Sequence, residues 1–222
     1  MKYISYLLCL CLITACVSST PRDSLIKGSP CEPPCWNGLT PGETTFDDAS
    51  QIVRELTNVD QTKIDELTYS GEVFDKWIRF YIVRDDLLTK KQTIGALYFI
   101  DDRLAVILLL ANVGGTFGEM VEMVGEPEVI LSLQHPEDIQ IKAILPSKGI
   151  SFDSYARSDQ FSAETRIDNV MLFDPSQYEQ LLDAAMFSLG KYGAADTKKM
   201  MHPWRGYGSI EELYPLVFPD FK

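Results

Sequence analysis

Residues 114–119 read Gly-Gly-Thr-Phe-Gly-Glu and follow the pattern of residues 42–47, which read Gly-Glu-Thr-Thr-Phe-Asp. Thr116 and Glu119 have the spacing of a capping box, in which each side chain satisfies a backbone N–H at the start of a helix. One of the two threonines in the earlier segment can cap a helix in the same way. The sequence therefore predicts two helices with similar starts.

Stretches typical of β-strands follow each predicted helix, because apolar residues alternate with polar ones or form short apolar runs. These stretches lie at residues 78–82, 94–100, 104–111, 139–145, 150–155 and 169–173. Asp101-Asp102 separates two of them and predicts a hairpin turn. The run 104–111 is apolar at every position. It fits a strand buried on both faces, while its period also fits a buried helix.

A further helix is predicted at the end of the second set of strands. Asp174 suits its N-cap and Pro175 its first turn, and Gly190 ends the apolar pattern. The fold class that follows is α+β, with two helix-plus-antiparallel-sheet repeats, a C-terminal helix and an aromatic tail. We divide the chain into a signal peptide at residues 1–15, a flexible tether at 16–30, a first α+β repeat at 31–113, a second repeat with its closing helix at 114–190, and the tail at 191–222.

The amino terminus has the layout of a secretory signal, with Lys2, an apolar run from residue 4 to 13, and small residues before a cysteine. The run is shorter than the roughly 20 apolar residues that a spanning helix needs. Ile13-Thr14-Ala15-Cys16 resembles the lipobox of bacterial lipoproteins. The resemblance implies that Cys16 carries a lipid, becomes the first mature residue, and holds the protein at the extracytoplasmic face of a cell membrane, without indicating which membrane.

The composition predicts an acidic, globular mature chain. Residues 1–15 contain one Lys and no acid, so their removal changes the formal net charge from −12 to −13. A strongly acidic chain disfavours binding to nucleic acid or to anionic lipid headgroups, which both need Lys and Arg. The membrane contact is therefore expected through the lipid. An apolar content of 45% supports a packed core.

Two cysteines, Cys31 and Cys35, remain in the mature chain after Cys16. Thiols outside the cytoplasm are normally oxidised, so a local disulfide is the favoured interpretation, provided that the intervening prolines turn the chain. A zinc site with His135 and His202 is the alternative, although the wide spacing matches no zinc finger. We predict no metal and no cofactor.

Short motifs at both ends and in the middle of the chain carry a family resemblance. Residues 34–42 read Pro-Cys-Trp-Asn-Gly-Leu-Thr-Pro-Gly, residues 125–127 read Gly-Glu-Pro, and residues 204–209 read Trp-Arg-Gly-Tyr-Gly-Ser. The chain resembles uncharacterised bacterial lipoproteins with such a start and tail, a family whose activity is not established. The capped helix followed by Gly-x-Pro and a meander also resembles SmpA/OmlA-type lipoproteins of the outer-membrane barrel-assembly machine and the repeats of the β-lactamase inhibitor protein.

The sequence contains no nucleophile elbow, zinc-protease helix, Walker loop or calcium loop. We therefore expect a binding or envelope-assembly module with a protein partner in the cell envelope. Trp204, Arg205 and Tyr207 are its candidate contacts, because Trp, Tyr and Arg dominate many interfaces. These rings can instead cover an apolar face. The alternative function is a hydrolase of envelope glycan or peptide, using carboxylates that the sequence does not pair.

Replacing Cys16 by Ser tests the lipid anchor. In a bacterial host the natural chain should incorporate labelled palmitate and fractionate with membranes, because acylation requires the thiol. Cys16→Ser should do neither. Palmitate labelling of the variant would contradict the lipobox prediction.

Overall fold

The computed structural model describes residues 26, 29–68, 73–84, 91–111, 113–184, 186–187 and 193–217. Cys16 lies outside these residues, and so do Ala185 and Gly190 of the predicted C-terminal helix. The helices are α1 (Phe46–Glu55), α2 (Phe117–Val124), α3 (Tyr178–Asp183), α4 (Ala194–Lys199) and α5 (Ile210–Leu213). The strands are β1 (Asp65–Thr68), β2 (Lys76–Arg84), β3 (Lys91–Ile100), β4 (Arg103–Leu110), β5 (Val129–Gln134), β6 (Ile139–Leu145), β7 (Ile150–Ala156), β8 (Gln160–Phe161), β9 (Asn169–Phe173), β10 (Met201–Pro203) and β11 (Gly208–Ser209).

Nine of the described strands form one antiparallel sheet in the order β1-β2-β3-β4-β9-β7-β6-β5-β10. The predicted α+β class with an antiparallel sheet is confirmed. The hairpin at Asp101-Asp102 is also confirmed, and both residues have positive φ, 49° and 64°, as the turn of a tight hairpin requires. The apolar run after it forms β4, in which Leu104–Ile107 are all buried. Burial on both faces explains why this strand shows no alternation.

The two halves of the sheet are related by an approximate two-fold axis through the pairing of β4 with β9. Leu108 pairs with Met171 at the centre of this ladder. On either side of this ladder the strands follow in equivalent order, β3-β2-β1 beyond β4 and β7-β6-β5 beyond β9. Each half therefore contributes one helix and then four strands of this sheet, β8 belonging to the separate pair with β11, and the last strand of each half lies at the centre.

Both helices of this arrangement begin as their sequences predict. The Thr116 side chain accepts a hydrogen bond from the backbone N–H of Glu119, and Glu119 accepts one from the backbone N–H of Thr116 at 2.9 Å. Thr45 caps α1 by accepting from the N–H of Asp48. Thr45 also bridges to Arg103, just as Thr116 bridges to Arg166. The caps thus fix each helix to the start of a central strand or to the residues just before it.

Apolar side chains cover the two faces of the sheet in different ways. On one face α1 and α2 bury Ala49, Val53, Phe117, Met120 and Val124 in the larger core cluster. On the other face α3 contributes Leu181 and Leu182 to a smaller cluster around Val106, Ile144 and Phe173. The second face is therefore covered only over part of its area.

The predicted C-terminal helix is wrong in length. One turn of 3₁₀ helix, Pro175–Gln177, follows the Asp174 cap, and α3 then ends at Asp183. Beyond α3 the chain buries Phe187, whose ring centroid lies 5.4 Å from those of both Phe173 and Tyr178. The predicted apolar face did not include Phe187.

The predicted tether and tail also differ from the structure. Ile26 is 3% exposed within the larger core cluster, and Ser29 Oγ accepts a hydrogen bond from the N–H of Asn37 at 3.0 Å. The described part of residues 16–30 is therefore packed on the domain rather than free. Within the tail, β10 joins the main sheet and β11 pairs with β8, so this segment is regular where the sequence predicted little pattern.

Gly95 provides a test of the core between β2 and β3. It pairs with Phe80, and a Cβ atom at Gly95 would lie 2.3 Å from the Phe80 ring. The ring has little room to move, because it stacks on Trp36 at a centroid distance of 6.0 Å. We expect Gly95→Ala to lower the free energy of unfolding by about 1–3 kcal/mol in denaturant titrations, as overpacking does.

The matched control is Gly193→Ala, because a Cβ at Gly193 meets open space. Gly193 is the N-cap of α4, where Ala is less favourable than Gly, so the control should lower the unfolding free energy by less than about 1 kcal/mol. Adding Phe80→Leu to Gly95→Ala should recover part of the loss, and an additive further loss would contradict the steric explanation.

Candidate functional site

A cavity of about 200 Å³ lies on the second face of the sheet, next to Phe187 beyond the end of α3. We call it the sheet cleft. Its apolar lining comes from Leu108, Leu110, Met171, Met186 and Phe187. Its polar lining comes from Gln140, Lys142, Ser151, Asp153, Tyr155 and Asn169. Strands β4, β9, β7 and β6 therefore supply the floor, and the chain after α3 supplies one wall.

A buried ion pair lies at the centre of the polar lining. Lys142 Nζ lies 3.2 Å from Asp153 Oδ2, and the two side chains are only 13% and 6% exposed. Asp153 Oδ2 also accepts a hydrogen bond from Gln140 Nε2 at 2.9 Å, and Asp153 Oδ1 accepts one from Asn169 Nδ2 at 2.6 Å. Three donors thus engage the carboxylate, as a buried charge requires.

Two side chains in the cleft, Lys142 and Ser151, have N–H or O–H groups that are not used in hydrogen bonds within the described residues. An ammonium group carries three N–H donors, and among the described residues the polar contact of Lys142 Nζ is with Asp153. Ser151 is 2% exposed and lines the same cavity. No hydrogen bond joins its Oγ to another residue of the described ranges. Both groups can therefore donate to a molecule in the cleft.

Tyr155 lies at the mouth of the cleft, with 39% of its surface exposed and its ring 5.8 Å from that of His135. Burial, with a further contribution from the nearby Asp153 charge, raises the pKa of Tyr155 to about 12. The phenol is therefore neutral at physiological pH and keeps its proton. Burial also raises the pKa of Asp168, whose Oδ2 accepts the backbone N–H of Tyr155 at 2.8 Å.

The two-fold relation shows what the fold itself needs at these positions. In the second half, a row across the sheet pairs Lys142 with Asp153 and Asp153 with Asn169. The equivalent row in the first half consists of Trp77, Tyr98 and Val106. The same strand pairing is thus built from apolar and aromatic side chains in one half and from a polar row in the other.

The aromatic tail residues lie on the opposite face of the sheet. The half-buried Trp204 ring has its centroid 6.5 Å from that of Phe117, 5.2 Å from that of Tyr207 and 6.3 Å from that of Tyr214. The fully buried Tyr214 donates its hydroxyl to Gly206 O at 2.7 Å and accepts from the N–H of Arg205 at 3.0 Å. Trp204 thus covers the start of α2.

Arg205 and Tyr207 remain at the surface, and Tyr207 is 38% exposed. The structure therefore separates the three predicted contact residues. Trp204 packs on the core, and its neighbours face solvent. The protein contact predicted for this segment stays a prediction.

The tail also closes one edge of the sheet. β10 pairs with residues 129–131 of β5. Further along the same strand, Val217 N–H donates to Ser132 O at 3.1 Å, and Gln134 N–H donates to Val217 O at 2.8 Å. The backbone of β5 is therefore paired along its whole length.

The two cysteines of the zinc alternative are bonded to each other, and the two histidines have other neighbours. Cys31 and Cys35 are joined, with an S–S distance of 2.08 Å and a Cα–Cα distance of 5.7 Å. His135 Nε2 lies 3.4 Å from Gln140 Oε1. His202 lies in β10, where it pairs with Ile130 of β5. Within the described ranges, no three His, Cys, Asp or Glu side chains are grouped to hold a metal ion.

Sequence reasoning missed the residues of the sheet cleft. A signal was present in two of the predicted strands. In one, Gln140 and Lys142 alternate with apolar residues, and in the other Ser151 and Asp153 alternate with Ile150 and Phe152. Such alternation is typical of a solvated face. The tertiary arrangement shows that these side chains are largely buried.

No protein-family model, no curated protein and no solved structure matches this chain. In the part of the chain that the structure describes, no helix has the length and apolar character needed to cross a membrane.

A double substitution tests whether the fold needs the buried ion pair. Asp153→Leu alone leaves Lys142 buried without its partner and should cost about 3–5 kcal/mol of unfolding free energy. Lys142→Leu/Asp153→Leu should restore stability to within about 1 kcal/mol of the natural chain, because apolar replacement of a buried pair is often neutral. Denaturant titration measures both values.

The exposed pair Arg79–Asp65 is the matched control, since its side chains are 43% and 48% exposed. Each single replacement of this pair by Leu should cost less than about 1 kcal/mol. A double cleft variant as unstable as Asp153→Leu would show that the polar row is structural.

Trp204→Ala tests the covering role of the tail. Removing a packed ring should cost about 3 kcal/mol in unfolding free energy, whereas Tyr207→Ala should cost distinctly less because that ring is more exposed. Equal and small losses for both variants would assign Trp204 to the surface.

Proposed function

We propose that this protein is a lipid-anchored binding module on the extracytoplasmic face of a bacterial cell membrane, and that it holds a small ligand in the sheet cleft. The observation that carries the proposal is the buried polar row of Lys142, Asp153 and Asn169 beside Ser151. The equivalent row in the other half is apolar, so these polar side chains serve a purpose other than strand pairing. Pockets with an apolar lining and a few converging polar groups are typical ligand sites.

The contacts of the carboxylates favour binding over hydrolysis. A hydrolase with two carboxylates needs one to donate a proton and the other to activate water or attack the substrate. Asp153 has both oxygens engaged by Asn169, Gln140 and Lys142. Asp168 is engaged by the backbone N–H of Tyr155. Asp153 therefore has neither oxygen without a partner, and Asp168 is not among the residues that line the cleft.

The lipobox at Cys16 supports the membrane attachment. About ten residues separate Cys16 from Ile26, the first described residue, which is buried in the core. A fully extended chain rises at most about 3.6 Å per residue. The domain would therefore lie within about 36 Å of the anchor and would meet ligands close to the membrane surface.

The experiment is to recover the bound molecule. The lipidated full chain is purified from a bacterial envelope in mild detergent and extracted, and the extract is analysed by mass spectrometry. We expect a compound in near-stoichiometric amount with the natural chain and with the Arg79→Leu/Asp65→Leu control, and its loss from Lys142→Leu/Asp153→Leu. Release of fragments from peptidoglycan by the purified chain would support the hydrolase instead.

A further inference from the structure

We infer that the ligand of the sheet cleft presents an uncharged carbonyl group, an amide or an ester, on a short apolar chain. This inference rests on the proposed function and specifies the chemistry of its ligand. Three properties of the cleft support it: the hydrogen-bonding groups that have no partner, the balance of charge, and the apolar lining with its limited volume.

One of the hydrogen-bonding groups left in the cleft, the Lys142 ammonium, can only donate. The oxygens of Asp153 already accept from Asn169, Gln140 and Lys142. Lys142 keeps N–H groups to spare, and the Ser151 hydroxyl has no hydrogen-bond partner among the described residues. The serine hydroxyl can donate or accept, whereas a ligand that hydrogen-bonds to Lys142 must supply an acceptor, which a protonated amine lacks.

The balance of charge favours an uncharged acceptor. Lys142 and Asp153 neutralise each other at 3.2 Å and are almost fully buried. A carboxylate ligand would meet Lys142 but would also lie beside Asp153, which leaves one negative charge uncompensated in a desolvated site. A carbonyl oxygen accepts the same hydrogen bonds and keeps the site neutral.

The apolar lining of the cleft, which comes from its floor and its one wall, accommodates an apolar chain. Leu108, Leu110, Met171, Met186 and Phe187 offer no polar side-chain atom beyond the methionine sulfurs, and the cavity of about 200 Å³ has the volume of roughly seven water molecules in the liquid. A molecule of about that many non-hydrogen atoms fits, with its carbonyl at Lys142 and Ser151 and its chain against this lining.

The test uses the methionine methyl groups as local reporters in NMR spectra of the full chain in detergent. Met171 and Met186 line the cleft, while Met120 and Met123 lie on α2 across the sheet. Pentanamide and methyl butanoate represent the amide and the ester, and pentanoate and pentylammonium are charged compounds of matched size. Pentanamide, methyl butanoate or both should shift the Met171 and Met186 signals saturably and leave the α2 methionines unchanged.

We expect the charged compounds to bind at least threefold more weakly than whichever uncharged compound binds better. Tighter binding of pentanamide indicates an amide ligand, and tighter binding of methyl butanoate indicates an ester. Ser151→Ala should weaken that binding at least threefold. The equivalent position of the first half, in β3, is already an alanine, Ala96, so the fold tolerates alanine at this place in the sheet. Tighter binding of pentanoate or pentylammonium, or no saturable shift with either uncharged compound, would overturn the inference. If a compound still co-purifies with the natural chain and is lost from the cleft variant, binding in the cleft stands while the ligand class fails.

Discussion

The pairing of β4 with β9 is the contact on which the rest of the structure depends. It joins the last strands of the two halves, and both strands are buried on their two faces. In either half alone the central strand would be an edge strand, with unpaired backbone N–H and C=O groups between apolar side chains. The ladder also fixes the two-fold relation between the halves, and that relation places α1 and α2 on one face.

The second face owes its character to a break in this symmetry. Where the first half places Trp77, Tyr98 and Val106, the second half places a lysine, an aspartate and an asparagine. This face is also unevenly covered. Helix α3 is short, and the chain beyond it packs the Phe187 ring on Phe173. The cavity opens between the short helix and the polar row. Both features come from the second half, so the site could not arise from the symmetric part of the fold.

Local signals in the sequence accounted for much of the fold. The capping box at Thr116, the turn at Asp101-Asp102 and the apolar run of β4 each involve neighbouring residues, and each formed as predicted. Strand β5 was not predicted although residues 129–133 read Val-Ile-Leu-Ser-Leu, an apolar run of strand length. The joining of β10 to β5 depends on partners far apart in the chain and carried little local signal. The cleft was missed for a similar reason, because the burial of Lys142 depends on residues distant in sequence.

The closure of β5 by the tail makes the end of the chain a condition for completing the sheet. A polypeptide is synthesised from its amino terminus, so both central strands are available before Val217 is. Until then the backbone groups of β5 lack their last partners, and an open strand edge can pair with other chains. During synthesis β4 and β9 can therefore pair while the outer edge of β5 is still open, and the addition of Val217 closes that edge.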